Sequence, residues 1–264
     1  MARVTFQKYE GLGNDFILLE LGPESLAPGA VERLCDRHFG IGADGVLLVR
    51  PPSSAGSTAT MTVINADGSQ PEMCGNGLRC VALFLAKREG RDTAIFHIDT
   101  DAGTLGCKVI GGEVEVAMGR LVPLGSVDVT LDGRNHTFSR ISAGNPHAVT
   151  FVPYEPREID DIGPRVSIAP AFAGGTNVEF ARLAADGSID LVVWERGVGR
   201  TLACGTGACA TVAEACLEGK RSFGEPTTVR LPGGSLEISV ERDSLAATMR
   251  GPARFVFQGE VAVP

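Results

Sequence analysis

Two cysteines sit in matching surroundings. Cys74 lies in EMCGNGLRC and Cys204 in LACGTGACA, and each Cys-Gly-X-Gly segment runs into an apolar stretch. A glycine-rich turn ahead of an apolar run reads as the start of a buried helix. The first N–H groups of a helix have no internal partner, and the helix dipole gathers positive charge there. A cysteine at such a place is expected to have its thiol pKa pulled below the usual value of about 8.5, and a carboxylate can dock on the open N–H groups. Two such helix starts facing one cleft would hold a carboxylate with its α-carbon flanked by a thiol on each face. That arrangement suits inversion of a stereocentre. A thiolate removes the α-proton from one face, a thiol supplies one from the other, and the roles exchange in reverse. Both sets of helix N–H groups would stabilise the charge that develops on the carboxylate.

Competing chemistries fit less well. Structural zinc wants Cys-X2-Cys or comparable Cys/His pairs, whereas Cys74–Cys80 and Cys204–Cys209 are separated by six and five positions. The Cys-X-X-Cys spacing of a redox pair is also missing. GIGADG (40–45) matches a dinucleotide fingerprint, but that fingerprint works after a strand and before a helix. Here an amphipathic AVERLCDRHF precedes it and a strand-like VLLV follows, so nucleotide binding is not expected. Cys80, Cys107, Cys209 and Cys216 lie in apolar or strand-like runs and read as small core hydrophobes.

The elements that must position the two cysteines repeat along the chain. LGNDFILL (12–19) falls on AGNPHAVT (143–150), GADGVLLV (42–49) on GGTNVEFA (174–181), and MTVINADG (61–68) on LVVWERG (191–197). Asn65 precedes Cys74 by nine residues, as Glu195 precedes Cys204. Few residues are identical, yet the blocks keep their order at nearly constant offset. A period this long indicates two similar domains rather than a solenoid. Gly90 and Gly219 stand where helix C-caps are expected. The period-2 runs EVEVAM and SLEISV follow, each entered through a Gly-Gly turn. The predicted fold is α+β, with two structurally similar domains, each a curved and mainly antiparallel sheet around one central buried helix. The halves are read as 1–118 and 119–254, with 255–264 returning to the first. His38 is placed on an amphipathic helix and His97 and His136 in strands, all three structural.

Composition bounds the function. The 264 residues suffice for one large or two smaller cores. A net charge of −8 without a basic cluster argues against nucleic acid. No apolar run approaches the roughly 20 residues of a membrane span, and MARVTFQKYEG lacks the apolar stretch of a secretory leader. Seven cysteines, an odd number, then suggest free thiols in a reducing compartment.

With these segments in view, the chain resembles the diaminopimelate epimerase family over nearly its whole length. YEGLGNDFILLE, GIGADG, NADGSQPEMCGNGLRC, AGNPHAV, GTNVEF and ERGVGRTLACGTGACA occur in the family's order. The resemblance implies two similar domains with the site between them. It implies epimerisation of LL-2,6-diaminopimelate to the meso form for lysine and peptidoglycan precursors, by a cytoplasmic homodimer without cofactor or metal. Cys74 and Cys204 resemble the acid/base pair. Gly75 and Asn76, with Gly205 and Thr206, resemble the cradle of the reacting carboxylate. Asn14, Asn65, Asn145, Asn177 and Arg196 resemble residues that read the substrate, chiefly its distal end, and Glu195 a contact to the distal ammonium. His147 and Glu195 resemble a pair that tunes the thiols. Arg200, where the family often has another polar residue, receives no role, and Gly45 offers only backbone where some members carry Gln. Arg196 is expected to form a buried pair with a carboxylate. The alternatives are a proline or hydroxyproline racemase, whose usual Cys-Gly-His is CGNG here, and a non-catalytic amino-acid-binding module, which would not exchange the substrate's α-hydrogen in D2O.

Overall fold

The computed structural model describes residues 2–263. In chain order the elements are β1 (Ala2–Gly11), β2 (Asn14–Leu19), α1 (Ala30–Cys35), β3 (Gly45–Arg50), β4 (Ala59–Asn65), α2 (Gly75–Arg88), β5 (Thr93–Thr100), β6 (Gly103–Ile110), β7 (Glu113–Arg120), β8 (Val122–Leu131), β9 (Arg134–Ser142), β10 (Pro146–Thr150), α3 (Pro156–Ser167), β11 (Asn177–Leu183), β12 (Ile189–Glu195), β13 (Gly199–Thr201), α4 (Gly205–Leu217), β14 (Thr227–Leu231), β15 (Gly234–Val240), β16 (Ala246–Pro252) and β17 (Arg254–Val263). The chain divides into two units, residues 1–116 with 251–264, and residues 117–250.

In the first unit the strands run β7-β6-β5-β4-β3-β2-β1-β17, with β17 pairing β1 from Ala2↔Val263 to Glu10↔Arg254. Neighbours are antiparallel except β2 with β3 and β4 with β5. These two parallel pairs are the ones joined through α1 and α2, because a parallel pair needs a long crossover. Strands β1 to β6 and β17 all touch α2, whose residues Gly75 to Ala86 are buried. Val31, Leu34 and Cys35 of α1 cover the other side of β2 and β3 against Ile17, Leu19, Val46 and Leu48.

The second unit repeats the plan with β16-β15-β14-β12-β11-β10-β9-β8. Its parallel pairs are β10 with β11 and β12 with β14, joined through α3 and α4. The hairpin β12–β13 is an addition of this unit. Helix α4 is buried from Gly205 to Cys216 apart from Thr206, and α3 packs Ile159, Ile162 and Val166 outside, against Phe138, Val178 and Phe180.

Both central helices end alike. The N–H of Gly90 (φ 65°) reaches Lys87 and that of Arg91 reaches Ala86; Gly219 (φ 73°) reaches Cys216 and Lys220 reaches Ala215. This is the paired bonding of a left-handed glycine cap. The Gly-Gly turns also open the hairpins β6–β7 and β14–β15. Cys80, Cys107, Cys209 and Cys216 are buried in α2, β6 and α4. One predicted element is shorter than expected. The helix begun at Ala30 stops at Cys35, because the Asp36 carboxylate takes the N–H groups of His38 and Phe39 and turns the chain out. His38 therefore lies in a turn. His97 and His136 lie in β5 and β9. Among the described residues no helix is long and apolar enough to cross a membrane.

Candidate active site

Each cysteine is the N-cap of its central helix. Cys74 has extended backbone (φ −139°, ψ 112°) and its Sγ accepts the Gly77 N–H at 3.4 Å. Cys204 has φ −127°, ψ 109°, and its Sγ accepts the Gly207 N–H at 3.4 Å. A thiol thus stands where Ser or Asp usually caps a helix. The third helical residue is glycine in both, and an added Cβ is crowded at each. A Cβ on Gly77 would stand 2.8 Å from Leu47 Cδ2, and a Cβ on Gly207 2.8 Å from Glu179 Oε1 and 3.3 Å from Cys204 Sγ.

In the first unit, Gly75 and Asn76 open α2 directly behind Cys74. Asn76 Nδ2 donates to Asn14 Oδ1 at 3.0 Å, and Asn14 Nδ2 donates to Asp44 Oδ2 at 2.9 Å. Asp44 also accepts the Asp15 N–H and pairs with Arg37, which in turn pairs with Asp15, itself 2.6 Å from the buried Lys8. The GIGADG loop is therefore a clamp on Asn14. Asn65 ends β4 and donates to Ser69 Oγ at 2.9 Å. Register puts it two strands from Phe16, through Gly45.

In the second unit, Thr206 Oγ1 lies 3.5 Å from Cys204 Sγ, and Asn145 Nδ2 donates to that Oγ1 at 3.4 Å. Asn145 Oδ1 is 2.8 Å from His147 Nε2, and His147 Nδ1 is 2.7 Å from Glu179 Oε1, with both side chains fully buried. Glu195 accepts the Thr201 hydroxyl at 2.7 Å. Asn177 donates to the Pro146 carbonyl and accepts the Arg196 N–H at 2.9 Å, which fixes its amide. Arg196 departs from expectation. It is exposed and its guanidinium donates to the Gly174 carbonyl at 3.1 Å, not to a buried carboxylate. Arg200 pairs with Asp160 at the surface.

Electrostatics also corrects one expectation. Cys204 was expected to have a lowered pKa; instead its thiol is held well above the ordinary value. Burial is the main cause, followed by the charges of Glu195 and Glu179, and these outweigh the Thr206 and Gly207 hydrogen bonds. Burial likewise raises the Glu179 carboxyl against the pull of His147, and the Glu195 carboxyl against its bond from Thr201.

Sequence reading had missed Glu179, Asp44 and Thr201. Glu179 carried a signal. It interrupts a strand buried on both faces, at the position where the first half has Leu47, while His147 stands where that half has Phe16.

A family model described as diaminopimelate epimerase matches residues 6–123 and 139–256. The chain belongs to the diaminopimelate epimerase family. It is 42% identical to the diaminopimelate epimerase of Synechocystis sp., covering 98% of this chain and 99% of that protein. It is 40% identical to the chloroplastic diaminopimelate epimerase of Oryza sativa subsp. japonica, over 96% of this chain and 79% of that one. Among solved structures, a hydroxyproline epimerase from Agrobacterium vitis with bound trans-4-hydroxy-L-proline superposes with a TM-score of 0.79 at 15% identity, covering 99% of this chain and 91% of that one. A phenazine biosynthesis protein from Bacillus anthracis gives 0.75 at 15% identity, over the whole of both chains. At that identity they show the fold alone.

Proposed function

We infer that this chain epimerises LL-2,6-diaminopimelate to the meso isomer, in lysine and peptidoglycan precursor biosynthesis, by a two-cysteine acid/base mechanism. The observation that carries the mechanism is the duplicated thiol N-cap, with Cys74 on α2 and Cys204 on α4 in the same local geometry. The halves 1–118 and 119–254, with 255–264 added to the first, each supply one cysteine to the reaction. The substrate's reacting carboxylate docks on the open N–H groups of Gly75, Asn76, Gly205 and Thr206. One cysteine, as thiolate, takes the α-hydrogen as a proton, and the C–H electron pair passes into the carboxylate. The thiol on the opposite face gives its proton to the same carbon, and the configuration inverts. Burial and the charges of Glu195 and Glu179 favour the protonated form of the Cys204 thiol. Asn14, Asn65, Asn145, Asn177, Glu195 and Arg196 hold the distal amino-acid end, and His147 with Glu195 tunes the thiol. No cofactor takes part. The enzyme is a cytoplasmic homodimer.

The test is α-hydrogen exchange in D2O together with overall inversion. Cys74→Ala and Cys204→Ala each abolish inversion, since each removes the proton carrier of one face. Near-normal turnover of either variant refutes the two-thiol mechanism. Oxidation offers a second test, in which inactive oxidised enzyme carries a Cys74–Cys204 disulfide, substrate protects, and dithiothreitol restores. A proline-type racemase is the second reading, on the fold likeness; CGNG in place of Cys-Gly-His speaks against it, and absence of exchange into proline excludes it.

A further inference from the structure

Glu179 and His147 form a buried acid–base pair that the acid/base step just described does not use. They meet diagonally across parallel strands β10 and β11, where His147 is opposite Asn177 and Glu179 opposite Val149, with no exposed side-chain surface, at 2.7 Å. From them a line of hydrogen bonds runs to the thiol: His147 Nε2 to Asn145 Oδ1 (2.8 Å), Asn145 Nδ2 to Thr206 Oγ1 (3.4 Å), and Thr206 Oγ1 to Cys204 Sγ (3.5 Å). The first half of the chain is an internal control. There the same two positions are Phe16 and Leu47, both buried and apolar, and Leu47 faces Gly77 as Glu179 faces Gly207.

We propose that Glu179 is a positioning residue that sets the direction of this relay, so that the Thr206 hydroxyl donates to Cys204. The inference rests on the reading of Cys204 as a proton carrier. The pair shares one proton between Glu179 Oε1 and His147 Nδ1. Asn145 Oδ1 can only accept, so in this arrangement His147 Nε2 carries hydrogen, and Nδ1 either accepts the proton of a neutral Glu179 or donates from an imidazolium to its carboxylate. The Asn145 amide must then present its NH2 to Thr206, whose oxygen is used as acceptor and whose O–H is left for the sulfur. If His147 Nε2 were bare, Asn145 would turn its NH2 toward the ring and its oxygen toward Thr206. The Thr206 hydroxyl would then point away from Cys204. Glu179 thus acts on Cys204 in two opposed ways: its charge raises the thiol, while the direction it sets leaves the Thr206 O–H to favour the thiolate. The other groups facing the sulfur are the Glu195 carboxyl from β12 and the Gly207 N–H from α4.

The test uses Glu179→Leu, which installs the residue of the first half, and Glu179→Gln. The Gln amide can donate to Nδ1 and so keep the hydrogen on Nε2. Alkylation of Cys204 and Cys74 by iodoacetamide is followed against pH by peptide mass, and the histidine ring nitrogens by 15N NMR. In wild type His147 carries hydrogen on Nε2 throughout the range. In Glu179→Leu the Cys204 alkylation midpoint stands about half to one pH unit above that of Glu179→Gln, since both lack the Glu179 charge and only Gln keeps the hydroxyl donor to the thiolate; the Cys74 midpoint is unmoved in both. Glu179→Gln keeps the Nε2 hydrogen. A Cys204 midpoint in Glu179→Leu at or below that of Glu179→Gln, or a bare Nε2 in wild type, overturns the proposal. Neither readout requires turnover, so these results stand apart from whether the chain acts on diaminopimelate.

Discussion

The surroundings of Cys74 and Cys204 share a frame and differ in filling. Both sulfurs cap a buried helix, both face a glycine one turn on, and both helices end in the same glycine cap. Around Cys74 the repeat places Phe16, Leu47 and Asn65; around Cys204 it places His147, Glu179 and Glu195. Apolar residues at such sites stabilise a core more cheaply than a buried ion pair, whose desolvation offsets its attraction. The second half thus keeps polar groups where the first shows that apolar ones fit. Backbone repetition places two thiols, and the substituted side chains make them chemically unequal.

The comparison can be broken most severely at the sulfurs. Ala at Cys74 or at Cys204 is expected to remove overall inversion, and exchange of the α-hydrogen by the remaining thiol would reveal whether the two faces are served unequally. The glycines opposite sharpen it next. In Gly77→Ala the new methyl meets the end of Leu47, which can swing aside. In Gly207→Ala it meets Glu179 Oε1, which His147 holds. We expect kcat/KM to fall about 100-fold for Gly207→Ala, as for an ångström-scale misplacement near the reacting atoms, and far less for Gly77→Ala. Equal losses would mean that the rigid pair plays no part. Arg196 stands where the first half has Ala66. Arg196→Lys keeps the charge and loses the fork, at a cost of roughly 1–3 kcal/mol in transition-state binding, read as the specificity constant for LL-diaminopimelate.

The smallest effect concerns stability. Matching register positions carry Asp99 in the first unit and Arg230 in the second. Asp99 is buried and accepts bonds from Ser53, Ser54, Ser57 and Thr104, which hold its pKa below the ordinary carboxylate value. Its folded pKa lies below the unfolded value of about 3.9. Its contribution is therefore complete above that pH and is lost as pH falls toward the folded value. The Tm gap between wild type and Asp99→Ala should be full at neutral pH and shrink below about pH 4. Arg230 pairs with Asp186 and Asp190 in solvent, so Arg230→Ala should change Tm little and only at low salt.

Much of this was legible in the chain. The repeat, the central helices, their glycine caps and the Gly-Gly hairpins follow from local rules of spacing and turn chemistry. What escaped depends on distance in sequence. Glu179 reaches His147 across 32 positions and Asp44 reaches Asn14 across 30, and no local pattern announces such partners. The lowered pKa expected for Cys204 failed for a similar reason. A helix start is visible in sequence, whereas the burial of the sulfur, the main cause, and two carboxylates brought alongside by other strands are not. The helix expected over 30–39 ended early because one side chain, Asp36, bonded to the backbone ahead of it.

The last strand, β17, lies against the first, β1, so the unit that begins the chain also ends it, and the second unit is an insertion within the first. A ribosome releases residues in order. Residues 117–250 are contiguous, and their sheet can close once they have emerged. The opening 116 residues can assemble β1 to β7 early but must leave one side of β1 without its partner until residues 254–263 arrive. The lobe bearing Cys74 would then be completed after the lobe bearing Cys204, and a chain stalled a dozen residues short of its end would display an unpaired β1 edge ready to bind the wrong strand.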